Sequence, residues 1–389
     1  MTPAARVSAA IDILDAVLDG ARAETALTRW GRANRYAGSK DRAAIRDHVF
    51  DALRQRDSAL GRAAGARTGR SLMRGILYVQ GVDLDTIFTD ARFAPVPLGA
   101  DERIFETVKS DWVNCDIPEW LWPHWCDSLG DQAVEIAQVL QQRAPVFLRA
   151  NLLKATVDQA CASLSDAGYD VSPHSDVPTA LCVTGRTAGL QMSEAYRDGL
   201  IELQDAHSQA SITLLDPEQS GPILDYCAGG GGKSLALAAW LGEPVHAHDV
   251  NPRRMVDLPT RAERANAQIS TRTKDQFAPD YGAVFCDAPC SGSGSWRRDP
   301  EGKWALTQDQ LDALISTQRE ILSDAAKLVA PDGRLVYATC SVLACENQDQ
   351  IDWFTVQNPT WRVETQKQWI PSAQGDGFFA SVLTQLKIV

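Results

Sequence analysis

The 389-residue sequence lacks the long apolar runs and the cysteine patterns of membrane and secreted proteins. No stretch approaches the roughly 18 uncharged apolar residues that a membrane-spanning helix needs. The nine cysteines are odd in number and include no CxxC pair, and Asp12, Asp15 and Asp19 stand where a secretory signal would be apolar. These absences predict a cytoplasmic protein with free thiols and no membrane partner.

The composition also lacks the biases that mark disordered or fibrous chains. Hydrophobic residues make up 44% of the sequence and charged residues 23%, close to the averages of globular proteins. At about 100 to 200 residues per domain, the chain has room for two or three units with proper cores. We therefore expect a multidomain globular protein.

Positive charge is scarce overall but concentrated near the N-terminus. The net charge is −12, yet the first 80 residues carry 14 Lys and Arg against 8 Asp and Glu. All but one of these cations are arginines, which suit paired hydrogen bonds to phosphate. Because clustered cations supply the affinity for polyanions, this segment is a candidate nucleic-acid-binding unit. A solvated basic helix surface explains the same charge, so both interpretations stay open.

Apolar periodicity divides the chain into three predicted domains. Over residues 4–81 the apolar residues recur at helical spacing, and a proline-interrupted connector follows. We assign residues 1–140 to a helical domain with its connector. Residues 141–204, where the runs VFLRANLL and LCVT flank a helical segment, are assigned to a small α+β domain. Residues 205–389 form the third domain.

Strands alternate with helices in this third domain. The alternation is typical of a doubly wound parallel sheet and predicts an α/β Rossmann-like unit. The expected strands cover residues 222–226, 245–248, 267–271, 283–286 and 334–339, and the expected helices cover 233–241, 252–265 and 308–330. Residues 377–386 are expected to add an antiparallel strand at the sheet edge.

A glycine-rich turn, DYCAGGGGKS, joins the first of these strands to the following helix. Ligands of open α/β sheets bind at the carboxyl ends of the strands, where glycines let the backbone approach them closely. A phosphate-binding P-loop needs a glycine five positions before Gly232, where Cys227 stands. A nucleoside cofactor needs a carboxylate at the end of the second strand, and Asp249 follows Gly229 by 20 residues. The nucleoside interpretation is favoured, while the P-loop and a purely structural turn stay open.

Two cysteines, Cys290 and Cys340, each follow a predicted strand in a polar turn, DAPCSGSG and ATCS. Because neighbouring parallel strands end at one edge of a sheet, both thiols are expected to face the cleft of the glycine-rich turn. Other cysteines, such as Cys161, are interpreted as small buried apolar residues. A zinc site would also need Cys286 and Cys345, at spacings that a regular strand end does not favour, and it stays an alternative.

Together these segments resemble the Sun/Fmu-type RNA cytosine-5 methyltransferases of the Nol/Nop/Sun family. The resemblance rests on DYCAGGGGKS, DAPCSGSGSWRRDPEGKW and ATCS, extends to SKDRAAIR, PEWL, LRAN and DGFF, and covers nearly the whole chain. It implies a NusB-like RNA-binding domain, a small α+β linker domain and a C-terminal Rossmann-like class I methyltransferase domain. The 16S rRNA members carry such an N-terminal domain, so 16S rRNA is the implied partner. The expected enzyme is a monomer without a metal.

The resemblance also implies a covalent mechanism. Cytosine C5 is a weak nucleophile, and a thiolate that adds at C6 makes it an enamine-like carbon able to attack a methyl group. Cys340 is the implied nucleophile, S-adenosylmethionine the methyl donor and S-adenosylhomocysteine the product. Cys290 is implied to help release the methylated RNA, and Asp287 to support the N3 and amino edge of the cytosine.

The cofactor site implied by the resemblance surrounds the glycine-rich turn. The turn would hold the methionine part, Asp249 the ribose and Asp275 the adenine amino group. Arg254 would orient the cofactor or the Asp249 carboxylate, or else be a solvated helix arginine. The implied cofactor residues are Cys227, Ala228, Gly229, Gly230, Gly231, Gly232, Lys233, Asp249, Arg254, Asp275 and Asp287.

RNA contacts are expected from cations along the whole chain. An enzyme that acts on a base normally extrudes it from the stack, and cations that follow Cys290 are well placed for the flanking phosphates. The expected RNA-binding residues are Arg297, Arg298, Lys303, Arg149, Lys40, Arg42 and Arg46.

One departure from the family concerns the glycine-rich turn. The family pattern is Cys-Ala-Ala-Pro-Gly-Gly-Lys, whereas this chain has Gly229 and Gly230 in place of the Ala-Pro pair. Loss of the proline raises the entropy of the free loop at a cost on the order of 1 kcal/mol, which predicts a weakened cofactor affinity. Two alternative functions keep the fold: the same chemistry on tRNA or another RNA, and an RNA-binding assembly factor without turnover.

Overall fold

The computed structural model describes residues 1–219, 221–278 and 280–386. The chain forms two compact units. The helical unit comprises Met1–Cys126, Gly130–Arg143 and Trp296–Leu306, and the sheet unit comprises Asp127–Leu129, Ala144–Ser295 and the chain from Thr307 onward. Within the described ranges, no helix is long and apolar enough to cross a membrane.

The helical unit is built from helices whose apolar faces form one core. Its helices are α1 Pro3–Leu18, α2 Ala23–Ala33, α3 Ser39–Arg54, α4 Arg56–Ala63, α5 Gly69–Val79, α6 Asp111–Asn114, most of α7 Trp122–Leu129, α8 Ala133–Leu140 and α14 Pro300–Ala305. Helix α1 begins at Pro3, whose missing N–H costs nothing in a first turn, and the Thr2 side chain caps it. Buried Leu14, Ile45 and Leu72 share one core, as the helical periodicity predicts.

One part of the helical unit, residues 296–306, comes from far along the chain. The indole of Trp304 donates to the carbonyl oxygen of Leu53 at 2.7 Å. The guanidinium of Arg54 donates to the carbonyl oxygen of Arg297, also at 2.7 Å. No composition or spacing indicates that residues 296–306 pack in the helical unit, because this packing depends on contacts between segments that are distant in sequence. The three-domain division stays a prediction, and the structure shows in addition that residues 296–306 belong to the helical unit.

A small antiparallel sheet belongs to the sheet unit. Its four strands, in the order β2-β3-β1-β4, are β1 Val146–Ala150, β2 Asp170–Pro173, β3 Ala180–Thr184 and β4 Ile201–Leu203. Helices α9 Val157–Asp166, α10 Glu194–Arg197 and α11 Ala206–Ala210 accompany them. Thr156 and Gln159 form a capping box at the start of α9, where the sequence predicts a helix. Strands β1 and β3 match the expected apolar runs, and the structure adds β2 and β4.

The larger sheet has seven strands in the order β10-β11-β9-β8-β5-β6-β7. The strands are β5 Ile223–Asp225, β6 Val245–Ala247, β7 Ile269–Thr271, β8 Tyr281–Asp287, β9 Val329–Thr339, β10 Trp361–Trp369 and β11 Phe378–Gln385. Strands β5 to β9 pair in parallel, whereas β11 and β10 pair antiparallel at one edge. This arrangement confirms the Rossmann-like unit and its antiparallel final strand. The carboxyl ends of the parallel strands share one edge of the sheet.

Two expected helices differ from those observed, for local reasons. The helices of this part are α12 Gly232–Leu241, α13 Leu258–Ala265, α15 Gln308–Ala326 and α16 Gln348–Gln357. The helix expected over 252–265 is replaced by a 3₁₀ helix, Pro252–Met255, and α13. Pro259 lacks an N–H to donate to a preceding turn, so it suits only the first turn of a helix. The helix expected over 308–330 ends at Ala326, since β9 begins at Val329.

Candidate active site

The glycine-rich turn follows β5, and residues 227–233, the last two of which begin α12, are named the glycine loop. The Gly229 N–H donates to the carboxylate of Asp249 at 2.9 Å. Gly231 has a left-handed φ of +82°, and a Cβ there would lie 2.2 Å from the side chain of Leu258. Among the described residues, a Cβ on Gly232 would meet no atom within 4 Å. The loop is therefore packed tightly on α13 at one glycine and open at the next.

Asp249 follows β6 and is only 2% exposed. Its carboxylate accepts hydrogen bonds from the Gly229 N–H at 2.9 Å, the Asn251 N–H at 2.8 Å and the Arg254 guanidinium at 3.1 Å. Of the alternatives for Arg254, this contact favours the one in which it orients the Asp249 carboxylate. Arg254 belongs to a short 3₁₀ turn rather than to an α-helix.

Asp275 follows the neighbouring strand β7. It lies in the exposed 3₁₀ turn Lys274–Gln276, which Thr273 and Gln276 cap reciprocally. The hydrogen bond from Thr273 lowers the pKa of the Asp275 carboxyl. Because β6 and β7 pair in parallel, Asp249 and Asp275 follow adjacent strands at one sheet edge. The position of Asp249 is the one that the nucleoside interpretation requires, and an adenine role for Asp275 stays a prediction.

The charge around Lys233 does not suit a phosphate. Its ammonium group binds the Asp287 carboxylate at 2.7 Å and lies 4.7 Å from the centre of the Phe378 ring. The next residue, Ser234, donates to the buried Asp225 at 2.6 Å, and burial raises the pKa of Asp225 to about 7. In a P-loop, the lysine and the serine would serve the phosphates and a magnesium ion instead. The pairing therefore disfavours the P-loop alternative.

Cys290 and Cys340 meet beyond the ends of β8 and β9, with 3.5 Å between their sulfur atoms. The hydrogen bond from Cys290 lowers the pKa of Cys340 against the opposing effects of burial and of the Asp287 carboxylate, and the Lys233 ammonium lowers it further. The same hydrogen bond, together with burial, raises the pKa of Cys290 well above its ordinary value. These opposite directions favour Cys340 as the thiolate-forming partner and Cys290 as the hydrogen-bond donor.

A buried carboxylate that the sequence analysis missed, Glu346, joins the loop of Cys290 and Ser291 to the loop of Cys340 and Ser341. These two segments are named the cysteine loops. It accepts from the Ser291 N–H at 2.8 Å, beside Cys290, and from the Ser341 hydroxyl at 2.6 Å, beside Cys340. A fully buried acid is tolerated only when it is hydrogen-bonded. Its sequence signal is a single acidic residue at the end of the uncharged run SVLAC. Glu346 holds the two loops at a fixed separation.

The zinc alternative finds no support in this geometry. Cys286 lies in β8 and packs within an apolar core cluster that includes Leu224 and Tyr337. Within residues 1–219, 221–278 and 280–386, no group of three or more His, Cys, Asp or Glu side chains is placed to hold a metal ion. The paired sulfurs of Cys290 and Cys340 are better explained by their own hydrogen bond.

Three of the expected RNA-binding residues are buried. Arg297 and Lys303 are 2% and 1% exposed, and Lys303 donates to the carbonyl oxygen of Arg54 at 3.2 Å within the helical unit. Arg149 of β1 is 3% exposed, and its guanidinium donates to the carbonyl oxygen of Gly232 at 2.9 Å. Burial of all three side chains contradicts the expectation that they contact RNA phosphates, and Lys303 and Arg149 donate to backbone carbonyl oxygens instead.

The other expected RNA-binding residues are exposed in the helical unit. They are Arg298, Lys40, Arg42 and Arg46. Arg46 forms an exposed ion pair with Glu24 at 2.5 Å, and Arg42 donates to the carbonyl oxygen of Ala37 at 3.0 Å. Exposed pairs of this kind are weak and exchange readily with other anions. A phosphate role for these four cations stays a prediction.

The residues at the sheet edge fit a nucleoside cofactor with a charged tail. Asp249 places buried carboxylate oxygens where ribose hydroxyls can bind. The glycine loop leads into the N-terminus of α12, where backbone N–H groups attract a carboxylate. Cys340 adds a sulfur whose lowered pKa suits nucleophilic attack. The arrangement can therefore support group transfer through a covalent adduct.

Comparison with protein families gives two matches along the chain. Residues 212–384 match the family described as 16S rRNA methyltransferase RsmB/F. Residues 117–188 match the ferredoxin-like domain of RsmF/B-like methyltransferases. Ribosomal RNA small subunit methyltransferase B of Salmonella arizonae is 31% identical over 302 residues, which cover 72% of this chain and 70% of that protein. The protein of that name from Salmonella paratyphi A is 30% identical over the same shares.

Two solved structures resemble the fold. The protein PH0851 superposes with a TM-score of 0.75 at 22% sequence identity, over 99% of each chain. NSun6 from Pyrococcus horikoshii, solved with SFG, superposes with a TM-score of 0.62 at 16% identity, over 70% of this chain and 99% of that one. At these identities the likeness establishes the fold.

Proposed function

This chain belongs to the RsmB/F family of 16S rRNA methyltransferases, and on that premise we propose that it forms 5-methylcytosine in 16S rRNA with S-adenosylmethionine as methyl donor. The observation that carries the cytosine-C5 proposal is the pair of sulfur atoms, 3.5 Å apart, beside the glycine loop. C5 methylation needs a nucleophile and a group that moves a proton, and two thiols of unequal pKa suit these roles.

Cys340 is the nucleophile in this proposal. Its lowered pKa raises the thiolate fraction at neutral pH, and the thiolate is the reactive form of a cysteine. Its sulfur bonds to cytosine C6, and the electron pair of the C5–C6 double bond becomes available at C5. The Lys233 ammonium, which contributes to the lowered pKa, stabilises the resting thiolate.

Cys290 acts after the adduct has formed. The hydrogen bond with Cys340 is the main cause of its raised pKa. A Cys340 sulfur that is bonded to C6 carries no charge, so this cause disappears and the Cys290 thiol ionises more readily. Once C5 carries the methyl group, the Cys290 thiolate removes the remaining C5 proton, the C5–C6 double bond re-forms, and the Cys340 sulfur leaves C6 as a thiolate.

Asp287 and Lys233 orient the base. Lys233 binds the Oδ2 atom of Asp287 at 2.7 Å, which holds this half-buried carboxylate in one position. The Oδ1 atom of Asp287 accepts a hydrogen bond from the cytosine amino group, which keeps the N3 and amino edge of the base beside Asp287. Lys233 lies in the glycine loop after β5, and Asp287 ends β8, three residues before Cys290. The base is therefore held close to the thiols.

The cofactor residues are those around the glycine loop. Bound S-adenosylmethionine supplies an electrophilic methyl group. The glycine loop holds its methionine part, Asp249 accepts hydrogen bonds from the ribose hydroxyls, and Asp275 accepts from the adenine amino group. Arg254 keeps the Asp249 carboxylate in place through its 3.1 Å contact.

The helical unit binds the RNA in this proposal, as a NusB-like domain. A groove between α2 and α3 is lined by Trp30 and by four arginines, Arg32, Arg35, Arg42 and Arg46. Arginines bind phosphates, and an indole offers a surface on which a base can stack. Exposed Lys40 and Arg298 add positive charge to the same unit.

Methylation of RNA that lacks its modifications tests the proposed reaction. The purified full chain is incubated with unmodified 16S rRNA, 23S rRNA and tRNA together with labelled S-adenosylmethionine, and new 5-methylcytosine is mapped by bisulfite sequencing. One mapped cytosine in 16S rRNA is expected. Label confined to tRNA would overturn the substrate, and label at another base atom would overturn the C5 chemistry. Absence of label from naked RNA and from assembled 30S subunits would favour an RNA-binding assembly factor.

A further inference from the structure

Apart from the hydrogen bond of the Gly231 N–H to the carbonyl oxygen of Ala228 at 2.8 Å, the glycine loop has few groups of its own with which to hold its shape. Residues 229 to 232 are all glycines, so this stretch has no side chains with which to bind its surroundings. Glycine has the largest backbone freedom of any residue, and a run of four loses much entropy when it adopts one conformation. Groups from outside the loop must therefore restrict it.

The first such group is Arg261 of α13. One end of its guanidinium donates to the carbonyl oxygen of Gly230 in the middle of the loop. The other end binds the carboxylate of Glu202 on β4 at 3.1 Å, and the Glu202 side chain is only 5% exposed. A buried carboxylate thus anchors the arginine while its second nitrogen restrains the loop.

The second group is Arg149 of β1. Its guanidinium donates to the carbonyl oxygen of Gly232 and to the side chain of Gln204, each at 2.9 Å. Burial lowers its pKa to about 10, so the group stays charged at neutral pH. Arg149 and Glu202 are cross-strand partners of the small sheet. Hydrogen bonds from a charged donor are roughly twice as strong as neutral ones.

We propose that Arg261, anchored by Glu202, and Arg149 are positioning residues that hold the glycine loop in the conformation that binds S-adenosylmethionine. This inference rests on the proposed function and assigns the small antiparallel sheet a role in cofactor binding. Neither arginine reaches the reacting thiols. Their contribution is to restrict the loop before the cofactor arrives, which reduces the entropy lost on binding.

Arg264 provides a matched control within the same helix. It binds the same carboxylate, Glu202, and its side chain is 21% exposed against 25% for Arg261. Its guanidinium lies 4.2 Å from the centre of the Tyr196 ring rather than against the loop. The two arginines therefore differ chiefly in whether they contact a glycine carbonyl.

Binding of S-adenosylhomocysteine to the full chain, measured by calorimetry, tests the inference without requiring turnover. We compare the wild type with Arg261→Gln, Arg261→Lys and Arg264→Gln, and record melting temperatures for all four. Arg261→Gln is expected to raise the Kd about tenfold, as loss of a charged hydrogen bond implies. Arg264→Gln should stay within about twofold of the wild type. Arg261→Lys keeps the charge near Glu202 but cannot bridge both partners, so it should keep the melting temperature and lose affinity.

The outcomes separate this inference from the proposed function. Wild-type Kd values for Arg261→Gln and Arg261→Lys would overturn the inference and leave the enzyme assignment intact. An equal loss in Arg264→Gln would also overturn it, because the effect would then follow Glu202 rather than the loop. Failure of the wild type to bind S-adenosylhomocysteine would overturn the proposed function itself. With RNA present, Arg261→Gln should raise the KM for S-adenosylmethionine and leave kcat within about twofold.

Discussion

The cysteine loops and the glycine loop lie at one sheet edge, but they are held in opposite ways. The cysteine loops are joined by Glu346, which lies in the same stretch of chain as Cys340 and accepts from both loops. The glycine loop has no side chains over four positions and depends on Asp249, Arg261 and Arg149 from other strands and helices. The reacting groups are thus specified by local motifs, whereas the shape of the cofactor site depends on residues distant in sequence.

The largest effect should come from the nucleophile. Replacement of Cys340 by serine removes the thiolate and is expected to lower the methylation rate by at least about a thousandfold. Cys161→Ser is the matched control, because Cys161 is a half-buried thiol on α9, and it should leave the rate unchanged. Residual methylation by Cys340→Ser within tenfold of the wild type would place the nucleophile elsewhere.

A smaller loss is expected where the two cysteine loops are joined. Glu346→Gln replaces an acceptor oxygen by a donor group and disturbs the hydrogen bonds from Ser291 and Ser341. Misplacement of reacting groups by about 1 Å can cost on the order of a hundredfold, so we expect a tenfold to hundredfold fall in kcat with cofactor affinity unchanged. Glu364→Gln, an exposed carboxylate on β10, is the control. Equal kcat values for both variants would show that Glu346 has no positioning role.

The pH dependence of Cys340 should report its hydrogen bond from Cys290. Alkylation of Cys340 by iodoacetamide, followed by peptide mass spectrometry, should rise with pH through a midpoint below the ordinary thiol pKa, because the thiolate reacts. Cys290→Ala removes the donor and should shift this midpoint to higher pH, slowing alkylation up to about tenfold at lower pH. Cys290→Ser keeps a donor and should shift it less. Identical profiles for all three proteins would contradict the assigned roles.

The smallest effect is expected in the glycine loop itself. Gly229 has a φ of +52°, and a Cβ there would lie 2.9 Å from the Arg254 guanidinium. Gly229→Ala should therefore weaken S-adenosylhomocysteine binding by about fivefold, through backbone strain on the order of 1 kcal/mol. Gly242 ends α12 at a φ of +68°, with open space around it among the described residues. Gly242→Ala therefore carries the same strain and should leave the cofactor affinity unchanged. Equal affinities of Gly229→Ala and Gly242→Ala for S-adenosylhomocysteine, measured by calorimetry, would contradict the role assigned to the loop geometry.

This geometry reverses one expectation. From entropy alone, the Gly229→Ala, Gly230→Pro double variant should bind the cofactor more tightly than the wild type. Because Gly229 is left-handed and lies against Arg254, the double variant is instead expected to bind more weakly. Tighter binding by the double variant would restore the entropy argument.

Much of the fold was predictable because strands and helices alternate with clear apolar patterns. The strands that end before the glycine loop, Asp249 and Cys290 were each located within a few residues. The packing of residues 296–306 was not predictable, because it follows from contacts such as that between Trp304 and Leu53. For the same reason Arg297 was expected at the RNA and is buried.

The candidate site shows the same division. The positions of the motifs after two parallel strands predicted that Cys290 and Cys340 would face one cleft, and the structure adds that their sulfurs lie 3.5 Å apart. Glu346 and Arg261 were missed, because an isolated acidic residue and a helix arginine look like surface residues in sequence. The burial and hydrogen bonds of Glu346, and the hydrogen bonds of Arg261, distinguish them.

Trapping of the covalent intermediate tests the central claim most directly. The Cys290→Ala protein is incubated with unmodified 16S rRNA and S-adenosylmethionine, and the products are separated on a denaturing gel and identified by mass spectrometry. We predict a stable complex in which the Cys340 sulfur is bonded to C6 of a 5-methylated cytosine, and its absence from the Cys290→Ala, Cys340→Ser double variant. Normal turnover by Cys290→Ala without such a complex, or a complex that survives loss of Cys340, would contradict the division of labour between the two cysteines.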